Sequence, residues 1–251
     1  MIHVSSGSYQ STSLEIFLNF FATLSSAEQK NYCLHLNSNL LNQYAKFAGC
    51  SIKNLNILDL PAAKADLVTN HQSFLGHTEF LRAHWNLAHL PMTFVSPSLV
   101  MLLLTDHIPL KSVAPTITSE LICEKLITFF NSYPYFKRLK RIHFWGINPH
   151  AGENKTLGLE EEEIVSAIKT LEKQYPALEF IGPIPSDGLF TYKKHNSSTD
   201  VIVSPYHDQA LLYQKSNFVF LATNVTSGGL IKRLSPDHGT AINLLYKKKA
   251  I

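Results

Sequence analysis

An α/β layered fold with a largely parallel sheet is predicted by three features of the sequence. Short apolar runs of strand length alternate with longer amphipathic runs along most of the 251 residues. No internal repeat or low-complexity segment interrupts that alternation. Three of the apolar runs are followed within a few residues by a histidine, in LLLTDH, FWGINPH and VIVSPYH. In parallel sheets, ligands gather beyond the carboxyl ends of the strands, which is where these residues fall.

Taken in order, IHVSS (2–6) reads as a strand and LEIFLNFFATL (14–24) as a helix. CLHLN (33–37) is a strand, LNQYAKFAG (41–49) a helix ending at Gly49, and NLNILDL (54–60) a strand stopped by Pro61. MTFVS (92–96) and LVMLLLT (99–105) read as neighbouring strands. SELICEKLITFFNSY (119–133) has helical spacing, with Thr118 or Ser119 as its N-cap. RIHFWG (141–146) is a buried strand, and LEEEEIVSAIKTLEKQY (159–175) a helix ending before Pro176. VIVSP (201–205) and FVFLAT (218–223) complete the strands.

Hydrophobic residues make up 45% of the chain, enough for a substantial core. Charged residues make up 16%, below the roughly 25% of soluble domains, which points to a large buried interface such as that of a dimer. The net charge of +3 is mild, and the one basic cluster, Lys247–Lys249, reads as a solvated tail rather than a nucleic-acid patch. Cys33, Cys50 and Cys123 are odd in number and lack CxxC spacing, so free thiols are expected rather than a disulfide frame or a zinc knuckle. The opening residues lack a basic segment followed by an apolar one, and LVMLLL (99–104) is too short to span a bilayer. A soluble, cytoplasmic protein with no membrane or nucleic-acid partner is expected.

The chemistry-bearing residues fall into two groups. His107, His150 and His207 occupy parallel positions after their strands; imidazole is a common metal ligand, and three protein ligands leave a position open for substrate. Their separations match no local metal motif, so a satisfied loop role for each and one shared site for all three stand as alternatives. Lys215, Asn224 and Arg233 surround the run FVFLATN, and two fixed cations with an amide suit an anion such as a phosphate monoester; solvated surface charge is the alternative. HTEF (77–80) places His77 and the cap-forming Thr78 at the start of a helix-like run, and SPDHGTA (235–241) has the same grammar around Asp237 and His238. GPIPSDG (182–188) presents Asp187 on a rigid loop. There is no GxGxxG after a strand, no GxxxxGK[ST] and no GxSxG. The residues alone indicate a metal-assisted enzyme acting on a small phosphorylated or acidic substrate.

In order, GHTEF, TDHIPL, GINPHAGE, GPIPSD, YHDQ with Lys215, and NVTSGGLIKRLSPDHGTA closely resemble the 4-hydroxythreonine-4-phosphate dehydrogenase family of pyridoxal phosphate biosynthesis, from about Gly76 to Ala241. The resemblance implies an isocitrate/isopropylmalate-dehydrogenase-like fold of two α/β lobes around a cleft. The first lobe would be 1–75 with 238–251, shortened, and the second 76–237, carrying the metal and substrate motifs. It implies a homodimer with a divalent metal (Zn, Co or Mg) on His107, His150 and His207, the ligands being shared across the interface. It further implies substrate contacts from His77, Thr78, Lys215, Asn224 and Arg233, with Asp187 and Lys215 in catalytic roles. The implied reaction is oxidation of 4-phosphohydroxy-L-threonine by NAD or NADP, followed by loss of carbon dioxide to give 3-amino-2-oxopropyl phosphate. Asp187 or a hydroxide at the metal would take the proton.

Some family segments are altered. SSGSYQSTSLE (5–15) stands where the family has a GEPAGIGPE-like stretch, and LVTNHQSFLGHTEF (67–80) lacks a lysine found upstream of HTEF in the family. TSGGLIKRLS (226–235) replaces TLGLPFIRTS, and the Gly-rich continuation after SPDHGTA is missing from this sequence. No residue is therefore assigned to the nicotinamide cofactor. Two other readings accompany the first: a paralogue oxidising a related four-carbon phosphorylated hydroxy acid, and a non-catalytic member that binds metal or phosphate only.

Overall fold

The structure is a computed structural model that describes residues 2–5, 13–36, 38–49, 51–59, 82–83, 85–87, 89–133, 135–191, 199–218, 221–226, 228–229 and 233–237. The chain divides into two compact units, Met1–Phe74 with His238–Ile251, and Leu75–Asp237.

The first unit carries β1 (Ile2–Ser5), α1 (Ser13–Thr23), α2 (Ser26–Gln29), β2 (Tyr32–Leu36), α3 (Ser38–Ala48) and β3 (Asn56–Asp59). Its strands form a parallel sheet in the order β1-β2-β3. Leu34 and Leu36 of β2 are sealed against Leu14, Leu18 and Phe21 of α1 and Leu41 of α3 in one apolar cluster. Local sequence sets the helix ends. Ser25 and Glu28 form a reciprocal capping box that satisfies two N–H groups at the start of α2. Gly49, at φ +69°, follows α3 in the left-handed conformation that ends a helix.

The second unit carries β4 (Met92–Ser96), β5 (Leu99–Leu103), α4 (Val113–Thr116), α5 (Ser119–Ser132), β6 (Arg141–Trp145), α6 (Glu161–Gln174), β7 (Glu179–Ile184), β8 (Asp200–Ser204), α7 (His207–Phe218), β9 (Thr223–Thr226) and β10 (Arg233–Pro236). Its seven strands are ordered β10-β9-β4-β5-β8-β6-β7. β5, β8, β6 and β7 run parallel, whereas β4, β9 and β10 extend the sheet antiparallel.

Every residue of β5 and β8 is buried, as parallel strands covered on both faces require. On one face Val100, Leu102, Ile142, Phe144, Val201 and Val203 pack with Ile122, Leu126 and Phe129 of α5 and Ile164 and Leu171 of α6. On the other, Phe94, Met101, Trp145 and Ile202 pack with Ala210 and Leu211 of α7. At the amino ends of β6 and β8, Arg141 grips the buried Asp200 through two hydrogen bonds of 3.0 and 2.8 Å. α5 begins at Thr118, whose hydroxyl accepts from Leu121 N; of the two candidate caps, the threonine is the one used.

Three expectations need correction. The run FVFLAT (218–223) meets a strand only at its last residue among those described: Phe218 closes α7, Leu221 and Ala222 are in no strand, and the strand is Thr223–Thr226. α7 escaped the periodicity reading because its buried stripe, Ala210, Leu211 and Gln214, includes a glutamine. The sheet is mixed rather than largely parallel, because the short polar strands TNVT and RLSP add an antiparallel hairpin. GPIPSDG is likewise only partly loop, since β7 runs through Gly182 to Ile184.

Candidate active site

β5, β8, β6 and β7 are parallel neighbours, so the segments that follow them all leave the sheet at one edge. Along that edge stand, in spatial order, the segments bearing His107, His207, His150 and Asp187. Topology thus sets along one edge four residues that are far apart in the chain.

The first two are joined closely. Beyond the strands, Leu104 N donates to Ser204 O (2.9 Å), and Thr105 donates to Pro205 O from both its backbone N (3.1 Å) and its hydroxyl (2.7 Å). This zipper carries β5 and β8 outward in register and leaves the His107 and His207 rings 5.4 Å apart between centroids. His207 is the first residue of α7, and its Nδ1 lies 3.0 Å from Asp208 Oδ1. A carboxylate at Nδ1 favours the proton on that nitrogen and leaves the Nε2 lone pair to face a metal. Beneath His107, Asp106 is buried and bonded to Arg82, with Lys125 Nζ at 3.6 Å.

His150 is presented differently. It lies in a turn, Pro149–Gly152, and every residue from His150 to Lys155 has positive φ. Left-handed backbone costs a non-glycine residue about 1–2 kcal/mol, so this turn needs external support. The support comes from α6. Glu161, itself buried, accepts the backbone N–H of Ile147 (3.0 Å) and Asn148 (2.7 Å) on Oε1, while the Asn148 amide donates to Glu161 Oε2 (3.0 Å) and to Glu160 Oε2 (2.7 Å). Gly152 is confined as well as left-handed: a Cβ there would stand 2.7 Å from Glu161 Oε2. Gln209 of YHDQ ties this loop to the His207 side, donating to Gly146 O (3.1 Å) while its Oε1 accepts from Ser204 Oγ (2.8 Å).

His150 is exposed, and among the described residues no three His, Cys, Asp or Glu side chains form a metal-sized cluster. The structure therefore pairs two of the three histidines and sets the third on the adjacent loop. The donors present suit a divalent metal: two imidazoles side by side, one already held at Nδ1.

The residues expected to meet an anion fall on the antiparallel side. Arg233 opens β10 opposite Thr226, which is level with Met92, Leu103 and Ser204, so the guanidinium starts from the same edge as the histidines. Asn224 is level with Phe94, Met101 and Ile202, on the sheet face that α7 covers, and its buried Oδ1 accepts no hydrogen bond from the described residues. Lys215, near the far end of α7, holds the other end of β10: its Nζ lies 3.3 Å from Asp237 Oδ1 and 3.4 Å from Asp237 O. Arg233 and Lys215 are thus at opposite ends of one strand. Asp187 is exposed in the turn that follows β7. His77, Thr78 and His238 lie outside the described residues.

Sequence reasoning gave no role to Asp106, Glu161 or Gln209. Gln209 was within reach, being inside the YHDQ motif; Asp106 and Glu161 become visible only through their partners.

Residues 50–251 match the family described as "Pyridoxal phosphate biosynthetic protein PdxA". The chain belongs to this family. A 4-hydroxythreonine-4-phosphate dehydrogenase of Wigglesworthia glossinidia brevipalpis is 38% identical over 201 residues, covering 78% of this chain and 59% of that protein. The chain thus spans about three fifths of the length of that curated relative. A crystal structure of a 4-hydroxythreonine-4-phosphate dehydrogenase from Klebsiella pneumoniae superposes with a TM-score of 0.75 at 20% identity, over 100% of this chain and 94% of that one. Isocitrate dehydrogenase from Methylococcus capsulatus superposes with a TM-score of 0.50 at 12% identity, over 99% of this chain and 81% of that one. The α/β fold is of the isocitrate-dehydrogenase-like class that the motifs implied. Among the described residues no helix is long and apolar enough to cross a membrane.

Proposed function

We propose that this PdxA family member is a metal-dependent, NAD(P)-linked dehydrogenase that oxidises 4-phosphohydroxy-L-threonine, with decarboxylation to 3-amino-2-oxopropyl phosphate. The observation that carries the reading is the His107–His207 pair at adjacent parallel strand ends, in a chain of this family.

A divalent metal bound by His107, His207 and His150 would supply Lewis acidity for alcohol oxidation and for the loss of carbon dioxide. The remaining steps fall to the chain's own groups. Arg233 and Lys215 neutralise the anionic groups of the substrate, Lys215 exchanging Asp237 for them. Asn224 Oδ1, buried without a donor among the described residues, accepts from a substrate hydroxyl or ammonium. The Asp187 carboxylate, on the same edge as the histidines, takes the hydroxyl proton. His77 and Thr78 are assigned to substrate through the motif GHTEF. Two of the three histidines meet within one chain, and a second copy supplying the missing ligand completes the set, which favours a homodimer.

The test is NADH or NADPH formation from 4-phosphohydroxy-L-threonine with added Zn²⁺, Co²⁺ or Mg²⁺, with and without chelator. Metal-dependent turnover is expected. A folded protein that binds metal and substrate yet produces no reduced nicotinamide would overturn the dehydrogenase reading.

A further inference from the structure

The run LEEEE (159–163) has the look of a solvated acidic helix start, but its glutamates do different things. Glu162 pairs with Lys155 at the surface (3.2 Å), and Glu163 accepts the backbone N–H of Ser119 (2.7 Å), joining α6 to α5. Glu160 accepts from the Asn148 amide (2.7 Å). Glu161 alone is buried, and the His150 loop is built around it.

Four contacts converge on that one carboxylate. Oε1 takes the N–H groups of Ile147 and Asn148, the two residues where the chain leaves β6 and turns toward His150. Oε2 takes the Asn148 side chain, and the Cα of Gly152 is close enough that any Cβ would collide with it. The loop closes on itself through Ala151 N to Asn148 O (3.1 Å), Glu153 N to His150 O (3.2 Å) and Leu157 N to Gly152 O (3.1 Å), but these bonds do not tie it to the rest of the unit. Its left-handed run from His150 to Lys155 departs from both helix and strand, so the first turn of α6 provides the fixed points. A ligand held on an unfavourable backbone stays in place only where its surroundings over-determine it, and metal affinity falls when such outer support is lost.

We propose that Glu161 is a positioning residue, its buried carboxylate fixing residues 147–152 and thereby setting where the His150 imidazole stands. The inference rests on the proposed role of His150 as a metal ligand. Glu161 does not touch the metal; it acts through the backbone.

The experiment compares Co²⁺ binding, by calorimetry and visible absorption, for the wild-type chain and for His150→Ala, Glu161→Ala, Glu161→Gln and Gly152→Ala, alongside thermal unfolding. Glu161→Ala is expected to weaken Co²⁺ binding by about 10- to 100-fold, close to the loss in His150→Ala, and to change the cobalt spectrum. Glu161→Gln should recover most of the affinity, because an amide oxygen can still accept both backbone N–H groups. Gly152→Ala approaches the same contact from the loop side and should weaken binding even if Glu161→Ala fails to fold. Hydrogen exchange should show the Ile147 and Asn148 amides opening in Glu161→Ala. If His150→Ala weakens binding while folded Glu161→Ala or Gly152→Ala retains wild-type affinity and spectrum, the positioning role is overturned and the ligand role survives. If His150→Ala binds Co²⁺ as tightly as wild type, the ligand role falls, and the inference falls with it.

Discussion

The imidazoles of His107 and His207 stand 5.4 Å apart although a hundred residues of chain separate them, because β5 and β8 are parallel neighbours whose ends are zipped by Thr105 and Pro205. In the proposed metal site both rings serve one ion, so their losses should not add. His107→Ala and His207→Ala are each expected to abolish tight Zn²⁺ retention through dialysis, with the double variant no worse than either single one. Zinc content by atomic absorption checks this; two independent partial losses that sum in the double variant would contradict a shared site.

Lys215 and Asp237 form a second pair, at the opposite end of β10 from Arg233. Asp237 has a largely buried side chain and, on the proposed role of Lys215, is the counter-ion that an incoming anion would displace. Asp237→Asn keeps the carbonyl contact with Lys215 but removes the competing charge. Inorganic phosphate should bind this variant more tightly, by about 1 kcal/mol, the scale of a partly exposed ion pair. Lys215→Ala should lose that binding. Titration calorimetry reads both, and tighter binding that persists in the Lys215→Ala, Asp237→Asn double variant would show that Lys215 is not the group released.

Cys123 offers a check on the packing of α5 against α6. Its thiol points at Ala167 O, and burial, followed by the nearby Glu120 and Glu124 carboxylates, pushes its pKa above the ordinary thiol value. The thiolate is the reactive form, so alkylation of the native protein should lag behind that of the urea-unfolded chain at neutral pH and rise only as the pH climbs past the usual thiol range. Mass spectrometry of iodoacetamide-treated protein resolves the two. Equal rates would mean that the α5–α6 seam opens readily.

How much of this was readable beforehand depended on what each residue leans on. β5, β6 and β8 announce themselves because both faces are covered and most of their residues are apolar. Thr118 is legible because a cap is a local hydrogen bond. α7 is illegible by periodicity, since Gln214 occupies its buried stripe and His207 and Asp208 open it. TNVT and RLSP look like loop, and only pairing with β4 and with each other makes them strands. His107, His150 and His207 stood out because each follows an apolar strand run, and motif order then grouped them as expected metal ligands. Glu161 could not be told from its three neighbours by type, because what distinguishes it is a pair of backbone N–H groups more than ten residues away.

Asp106 carries the last expectation. It sits directly before His107 at the end of β5, with its side chain almost wholly excluded from solvent and two cations drawn onto it. Arg82 bonds its carboxylate and also donates to Leu90 O, while Lys125 reaches up from α5 to approach it and to donate to Leu103 O (3.3 Å). Removing the anion strands a buried ammonium, and such breakage typically costs about 3–5 kcal/mol, far more than an exposed pair returns. Asp106→Ala should therefore lower the stability of the second unit by that amount. Both tryptophans, Trp85 and Trp145, lie in this unit, so intrinsic fluorescence during urea unfolding reports on it. Lys125→Met leaves Asp106 bonded to Arg82 and should cost less, because the carboxylate keeps its stronger partner. If Asp106→Ala unfolds at the wild-type urea midpoint, the buried cluster is not what holds the segment between β5 and His107.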